Sequence, residues 1–130
     1  MRWSRPGCIE MTQSQTDIQR YAEETRLSGA VRHGNTLYLA GQIADDTSLD
    51  TEGQTADILR QIDALLVEAG TDKTKLLSVQ VFLTDITEID AMNRAWDAWL
   101  DQGHKPARAT VEARLVDPEW SVEITAIAAI

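Results

Sequence analysis

The residues with the clearest chemical potential lie near the C-terminal end. Arg108 and Thr110 stand two apart in PARATVEARL, and Glu123 and Thr125 stand two apart in SVEITAIAAI. Successive strand residues point to opposite faces, so each pair shares one face of its strand. If the two strands pair and share a core, a guanidinium, a carboxylate and two hydroxyls meet on one side of a sheet. Such a surface can hold a small carboxylate in arginine's planar fork while the glutamate handles a water molecule. Residue pattern alone leaves a plainer alternative open, because a strand arginine facing a strand glutamate is more often a structural ion pair.

The elements that would position these groups can be read from periodicity. Pro106 to Ile130 reads as two strands around a turn at Asp117-Pro118-Glu119. Ala107, Ala109, Val111, Ala113 and Leu115 form the apolar phase of the first, and Val122, Ile124, Ala126 and Ala128 that of the second. Upstream, Gly34-Asn35 separates two strand-like runs, 29–33 and 36–44, and signals a hairpin turn. In TLYLAGQIA, Leu37, Leu39 and Ile43 share a face and Gly41 falls in their phase, where a glycine marks close approach of backbone or ligand.

A helix opens at Asp50-Thr51-Glu52-Gly53-Gln54, with Thr51 and Gln54 at capping-box spacing. Ile58, Ile62, Leu65, Leu66 and Ala69 recur at helical period until Gly70 ends the run. Leu76 to Thr84 returns to strand alternation. Thr87 is placed to cap a second helix whose apolar stripe is Ile89, Met92, Trp96, Trp99 and Leu100. Trp96 and Trp99 read as packing residues. Residues 11–28 are weakly patterned and are expected as an irregular arm or a short edge element.

The predicted order is ββαβαββ. Strands that are apolar on one face, with two striped helices to cover it, define a two-layer α+β sandwich with a mixed sheet. The domain is expected over 29–130, after an N-terminal arm over 1–28. Met11 is an alternative start that would make residues 1–10 an extension. The sheet face away from the helices carries Tyr38, Phe82, Ile127 and Ala129 among neutral polar residues, a surface more suited to burial than to water. A second copy of the chain is the economical cover, which predicts a homo-oligomer.

Composition narrows the partners. The chain has 130 residues, 43% of them hydrophobic, which is enough for one self-sufficient core. A net charge of −9 opposes binding to nucleic-acid phosphates and to anionic membranes. No apolar run is long enough to span a bilayer. Cys8 is the single cysteine and cannot form an internal bridge, which fits a reducing, cytoplasmic location. His33 and His104 lie in a predicted turn and a loop with no ligand spacing, so neither a metal nor an organic cofactor is expected.

The segments PARATVEA and VEITAIAAI resemble the closing signature of the YjgF/Rid (RidA, RutC-like) family of reactive-intermediate deaminases. LYLAGQIA resembles the family's early strand, which ends in S/T-G-Q, and MNRAWDAW is similar to a run in the YoaB-like subgroup. The resemblance spans about residues 26–130 in the same element order. It implies a chorismate-mutase-like fold, a homotrimer with clefts between subunits, and no cofactor. It also implies hydrolysis of small 2-imino acids such as 2-iminobutanoate and 2-iminopropanoate, or their enamine tautomers, to 2-oxo acids and ammonia. By position, Arg108 matches the arginine that holds the substrate carboxylate and Glu123 the glutamate that positions or activates water. Gly41, Asn93 and Thr110 match further substrate-binding positions. One departure stands out: many deaminases of the family carry a tyrosine where this chain has Leu27. A non-catalytic trimer that binds a small carboxylate metabolite in a regulatory role is the alternative it leaves open.

Overall fold

The computed structural model describes residues 17–130. A six-stranded mixed sheet is covered on one side by two helices, the expected two-layer α+β arrangement. Strand β1 (Ile18–Glu23) pairs antiparallel with β2 (Ser28–His33), which forms a hairpin with β3 (Thr36–Gln42). Helix α1 (Thr51–Glu68), β4 (Leu76–Leu83), α2 (Ile89–Trp99), β5 (Ala107–Glu112) and β6 (Val122–Ala129) follow. The observed order therefore has one strand more than predicted, because Ile18–Glu23, within the weakly patterned stretch, extends the sheet at its edge. Gly34, at φ 63°, turns the β2–β3 hairpin as the Gly-Asn signal required.

In space the strands run β1-β2-β3-β6-β4-β5. The two C-terminal strands do not pair with each other, contrary to the sequence reading. β4 lies between them, antiparallel to β6 and parallel to β5. The parallel pairing is what a strand–helix–strand unit produces, since α2 carries the chain back over the sheet from the end of β4 to the start of β5. In this register Val79 is opposite Arg108 and Val81 opposite Thr110, whereas Phe82 is opposite Glu123 and Gln80 opposite Thr125. Val79 and Val81 face the helices in the core. Arg108 and Thr110 therefore lie on the helix side of the sheet, and Glu123 and Thr125 on the other side. Their predicted shared face is corrected by the strand inserted between them. The β5 alternation is inverted as well: Ala107, Ala109 and Val111 are exposed, and Arg108 and Thr110 are the half-buried residues.

The core joins the helix stripes to one face of the sheet. Ile58, Leu59, Ile62 and Leu66 of α1 and Met92 of α2 are fully buried against Leu37, Val81, Leu83, Val122 and Ile124. Each such aliphatic side chain contributes about 1.5–3 kcal/mol by leaving water. The cap of α1 is Asp50, whose carboxylate accepts from the Gly53 amide at 2.8 Å, rather than Thr51. Gln54 is buried and has a different task from the predicted capping box. Its amide nitrogen donates to the carbonyls of Thr47, Leu49 and Glu119, and its oxygen accepts from the Ser121 amide. It thereby ties the start of α1 to the turn before β6. Asp85, not Thr87, caps the short 3-10 turn Ile86–Glu88 that leads into α2. The Thr87 hydroxyl and amide both donate to the Asp85 carboxylate and hold its pKa below the ordinary range. Among the described residues no helix is long and apolar enough to cross a membrane.

Candidate active site

Arg108 projects from edge strand β5 onto the side of α2. Its Nη1 donates to Asn93 Oδ1 at 2.8 Å and lies 3.8 Å from Met92 Sδ. The guanidinium carbon sits 5.0 Å from the centre of the Trp96 ring. Asn93 and Trp96 are one helical turn apart and so face the same way, which lets one arginine meet both. The ion pairs among the described residues are Arg60–Asp57, Arg94–Glu52 and His104–Asp101, and none involves Arg108. Most of the five N–H donors of the guanidinium thus remain available. Beside it, two residues along β5, the Thr110 hydroxyl is buried without a hydrogen-bond partner. Buried polar atoms are normally paired, and among the described residues the Thr110 hydroxyl shares this unpaired state with that of Ser121.

Glu123 is positioned by an irregularity in the strand pairing. The β3–β6 register shifts between Leu39 and Gln42, so Ala40 and Gly41 together occupy the place of one residue opposite β6. The Thr125 hydroxyl donates to the Leu39 carbonyl at this bulge. The extra residue moves Gly41 out of the core phase predicted for it and brings it against the Glu123 side chain. An ideal Cβ on Gly41 would stand 2.0 Å from Glu123 Oε2. The glycine leaves the space in which the carboxylate lies.

A cleft of about 680 Å³ opens beside this pair. Leu27, Ile43, Leu65, Val116 and Trp120 supply its apolar wall. Its ionisable lining residues, Glu24, Asp45 and Glu123, are all acidic. The cleft therefore presents carboxylates and no cation for an anionic ligand.

The five residues singled out from the sequence fall into two groups within one chain. Arg108, Asn93 and Thr110 lie together on the helix side near α2, and Gly41 and Glu123 lie together at the bulge where β3 pairs with β6. The rival sequence reading, an ion pair between Arg108 and Glu123 of the same chain, does not occur. Sequence reasoning did not assign Trp96 to the arginine, because an indole at helical spacing in an apolar stripe has the signature of core. Leu27, singled out as the departure from the family's tyrosine, lines the cleft, whereas Val116 and Trp120 carry no sequence signal as cleft walls, since residues far apart in the chain meet there only after the sheet has formed.

A mixed six-stranded sheet backed by two helices, with an arginine lodged against the second helix and a glutamate over a glycine bulge, defines a protein class that the comparisons identify. The family model described as endoribonuclease L-PSP matches residues 17–130. The RutC family protein YoaB of Escherichia coli K12 is 44% identical over 113 residues, covering 87% of this chain and 98% of that one. A RutC family protein of Haemophilus influenzae is 44% identical over 112 residues, covering 85% and 97%. The crystal structure of a YjgF-family member from Neisseria meningitidis superposes with a TM-score of 0.86 at 41% identity, covering 88% and 96%. The chain belongs to this YjgF/RutC/L-PSP family, in its YoaB-like subgroup.

Proposed function

We propose that the protein hydrolyses small 2-imino acids, and their enamine tautomers, to 2-oxo acids and ammonia in a cleft shared by two copies of the chain. Arg108 of one copy holds the substrate carboxylate through two parallel charge-assisted hydrogen bonds, each about 1.5–3 kcal/mol in a shielded site. Thr110 and Asn93 line this anchor. Glu123 of the neighbouring copy takes a proton from water as the oxygen attacks the imine carbon, and the proton passes to nitrogen. As the carbon–nitrogen bond of the resulting carbinolamine breaks, its hydroxyl proton passes through the Glu123 carboxylate to nitrogen, leaving the 2-oxo acid and ammonia. Gly41 gives the carboxylate room to face that carbon. Imines hydrolyse readily unaided, so acid–base help of about 10²–10⁴-fold with positioning is sufficient.

The observation that carries the reading is the complementarity of the two groups. A guanidinium without an acid partner and a cleft with only acidic ionisable residues stand on different sides of the same chain. Each lacks what the other has, and a neighbouring copy can bring them together. The sheet face away from the helices, with Tyr38 47% and Val111 42% exposed and Phe82 and Ile127 half-buried, provides an apolar surface for that contact. A closed ring of three copies, each giving its arginine to the next, satisfies all the sites at once.

An endoribonuclease activity, as in the family's description, would need a basic surface along the phosphate backbone, and the net charge of −9 opposes it. One observation favours a second reading, a non-catalytic trimer that binds a carboxylate metabolite: Leu27, where the family resemblance places a tyrosine hydroxyl, lines the Glu123 cleft. One set of measurements separates the two. With an imine generated by an amino-acid oxidase, the purified protein is expected to speed formation of the oxo acid, and Arg108→Ala to abolish the gain. Equal rates with wild type and Arg108→Ala would refute the deaminase reading. Tight 2-oxo acid binding without any acceleration would establish the second.

A further inference from the structure

We propose that Trp96 is a positioning residue for the carboxylate anchor: its indole face holds the plane of the Arg108 guanidinium and thereby sets affinity for the anionic end of the ligand. The inference rests on the reading above that Arg108 binds a carboxylate. An arginine on an edge strand is a poor anchor by itself, because its long side chain has many rotamers and a bidentate grip requires one of them. Both side-chain contacts of the fork, to Asn93 Oδ1 at 2.8 Å and to Met92 Sδ at 3.8 Å, are made by Nη1 alone, which leaves Nε and Nη2 uncommitted. The face of the guanidinium is met by the Trp96 ring, whose centre is 5.0 Å from the guanidinium carbon.

Trp96 is itself held firmly. It is 5% exposed and packs on Trp99, with ring centres 5.7 Å apart and planes inclined by 50°. The Trp99 indole N–H donates to Asp63 of α1 at 2.8 Å. Lys73 lies over the other end of this row, with its ammonium 5.0 Å from the Trp99 ring centre, and donates to the Trp99 carbonyl. Two indoles are thus held between an ammonium at one end and the guanidinium at the other, and both helices brace them. Packing alone does not require a cation against the face of a buried indole. This one ends against a cation whose remaining donors are unspent, which is the arrangement that orients an arginine without consuming its hydrogen bonds.

The test compares side chains that keep or remove the aromatic face. Binding of 2-oxobutanoate is measured by calorimetry for wild type, Arg108→Ala, Trp96→Phe and Trp96→Leu, alongside melting temperatures. Both Trp96 variants lose volume and are expected to melt lower than wild type by similar amounts. Affinity should separate them: about tenfold weaker binding for Trp96→Leu, and within about threefold of wild type for Trp96→Phe, which retains a π face. In turnover, Trp96→Leu should raise KM while kcat changes less than about twofold, the signature of lost binding common to substrate and transition state. If the leucine variant does not fold, Trp96→Met makes the same comparison. Leucine and phenylalanine variants that bind equally, whether as wild type or equally weakened, would overturn the proposal and leave Trp96 a core residue. No binding by wild type, or undiminished binding by Arg108→Ala, would remove the anchor itself and the proposal with it.

Discussion

Glu123 occupies the space that a side chain at position 41 would fill: a Cβ built on Gly41 stands 2.0 Å from its Oε2 and 2.9 Å from its Cδ. The contact joins an irregularity of the strand pairing to the one carboxylate proposed to handle water. Both clashing atoms belong to the end of a flexible side chain, so an added methyl displaces the carboxylate and not the backbone.

Gly41→Ala is therefore expected to separate activity from stability. Gly41 is not among the positive-φ glycines, Gly34 and Gly70, so alanine meets no backbone strain there. Reduced freedom of the unfolded chain should leave stability unchanged or raise it by about 0.4–1 kcal/mol. Displacing Glu123 should lower kcat about 10²-fold, within the range of a lost general acid–base group, and Glu123→Gln should fall at least as far. Steady-state kinetics with thermal melting checks both. Wild-type kcat in Gly41→Ala would mean that the position of Glu123 does not matter to the reaction.

Gln54 should be one of the costliest single losses outside the core. Its amide serves three carbonyls and the Ser121 amide from a site 2% exposed. Gln54→Leu keeps similar volume but strands these groups, at about 1–3 kcal/mol for each that remains buried and unpaired. Denaturant unfolding is expected to show a loss of about 2–4 kcal/mol on that basis. The Asp117–Ser121 turn carries Trp120, a wall of the cleft, so KM should rise as well. A variant as stable as wild type would show that water replaces the amide without loss.

Asp85 makes acid stability testable with a definite sign. Bonds from the Thr87 hydroxyl and amide depress its pKa in the folded chain. The stabilisation is thus present in full above the unfolded-state pKa of the carboxyl and disappears as pH falls through the lower folded value. Asp46 and Asp72, each bonded in the same way by the side chain and amide two residues on, add to the effect. Melting temperature should be level from pH 7 to 5 and drop below about pH 4, near the ordinary aspartate range. Asp85→Ala should melt lower than wild type at pH 7, and the difference should narrow in the acid range. A constant difference down to pH 2 would show that the charge of Asp85 is irrelevant to its cap.

The sequence disclosed the kind of each element more readily than its neighbours. Alternation identified β3, β4 and β6 and their buried faces, and helical spacing identified α1 and α2. Alternation says nothing about which strand lies alongside, however. Ala107, Ala109 and Val111 look like a core phase on their own; only pairing with β4 puts Arg108 in line with Val79 and shows that the alanines face outward. The clue was available in the order of elements, since a strand, a helix and a further strand in succession favour parallel neighbours. The bulge at Gly41 was hidden for a different reason. An inserted residue shifts the face of everything around it, and the local pattern of TLYLAGQIA reads the same with or without it. Arg108, Asn93, Thr110, Glu123 and Gly41 were all visible as residue types and motif positions. That they fall into two separate groups depends on the strand order and could not be read from their spacing.

In the proposed reaction a working site takes its arginine from one copy and its glutamate from another. Arg108→Ala and Glu123→Gln proteins, each inactive, should regain imine hydrolysis when unfolded together and refolded as mixed oligomers. Random assembly in a ring pairs an intact arginine with an intact glutamate at about one interface in four, so about a quarter of wild-type activity is predicted. A mixture that forms mixed oligomers yet remains as inactive as either parent would contradict the shared site.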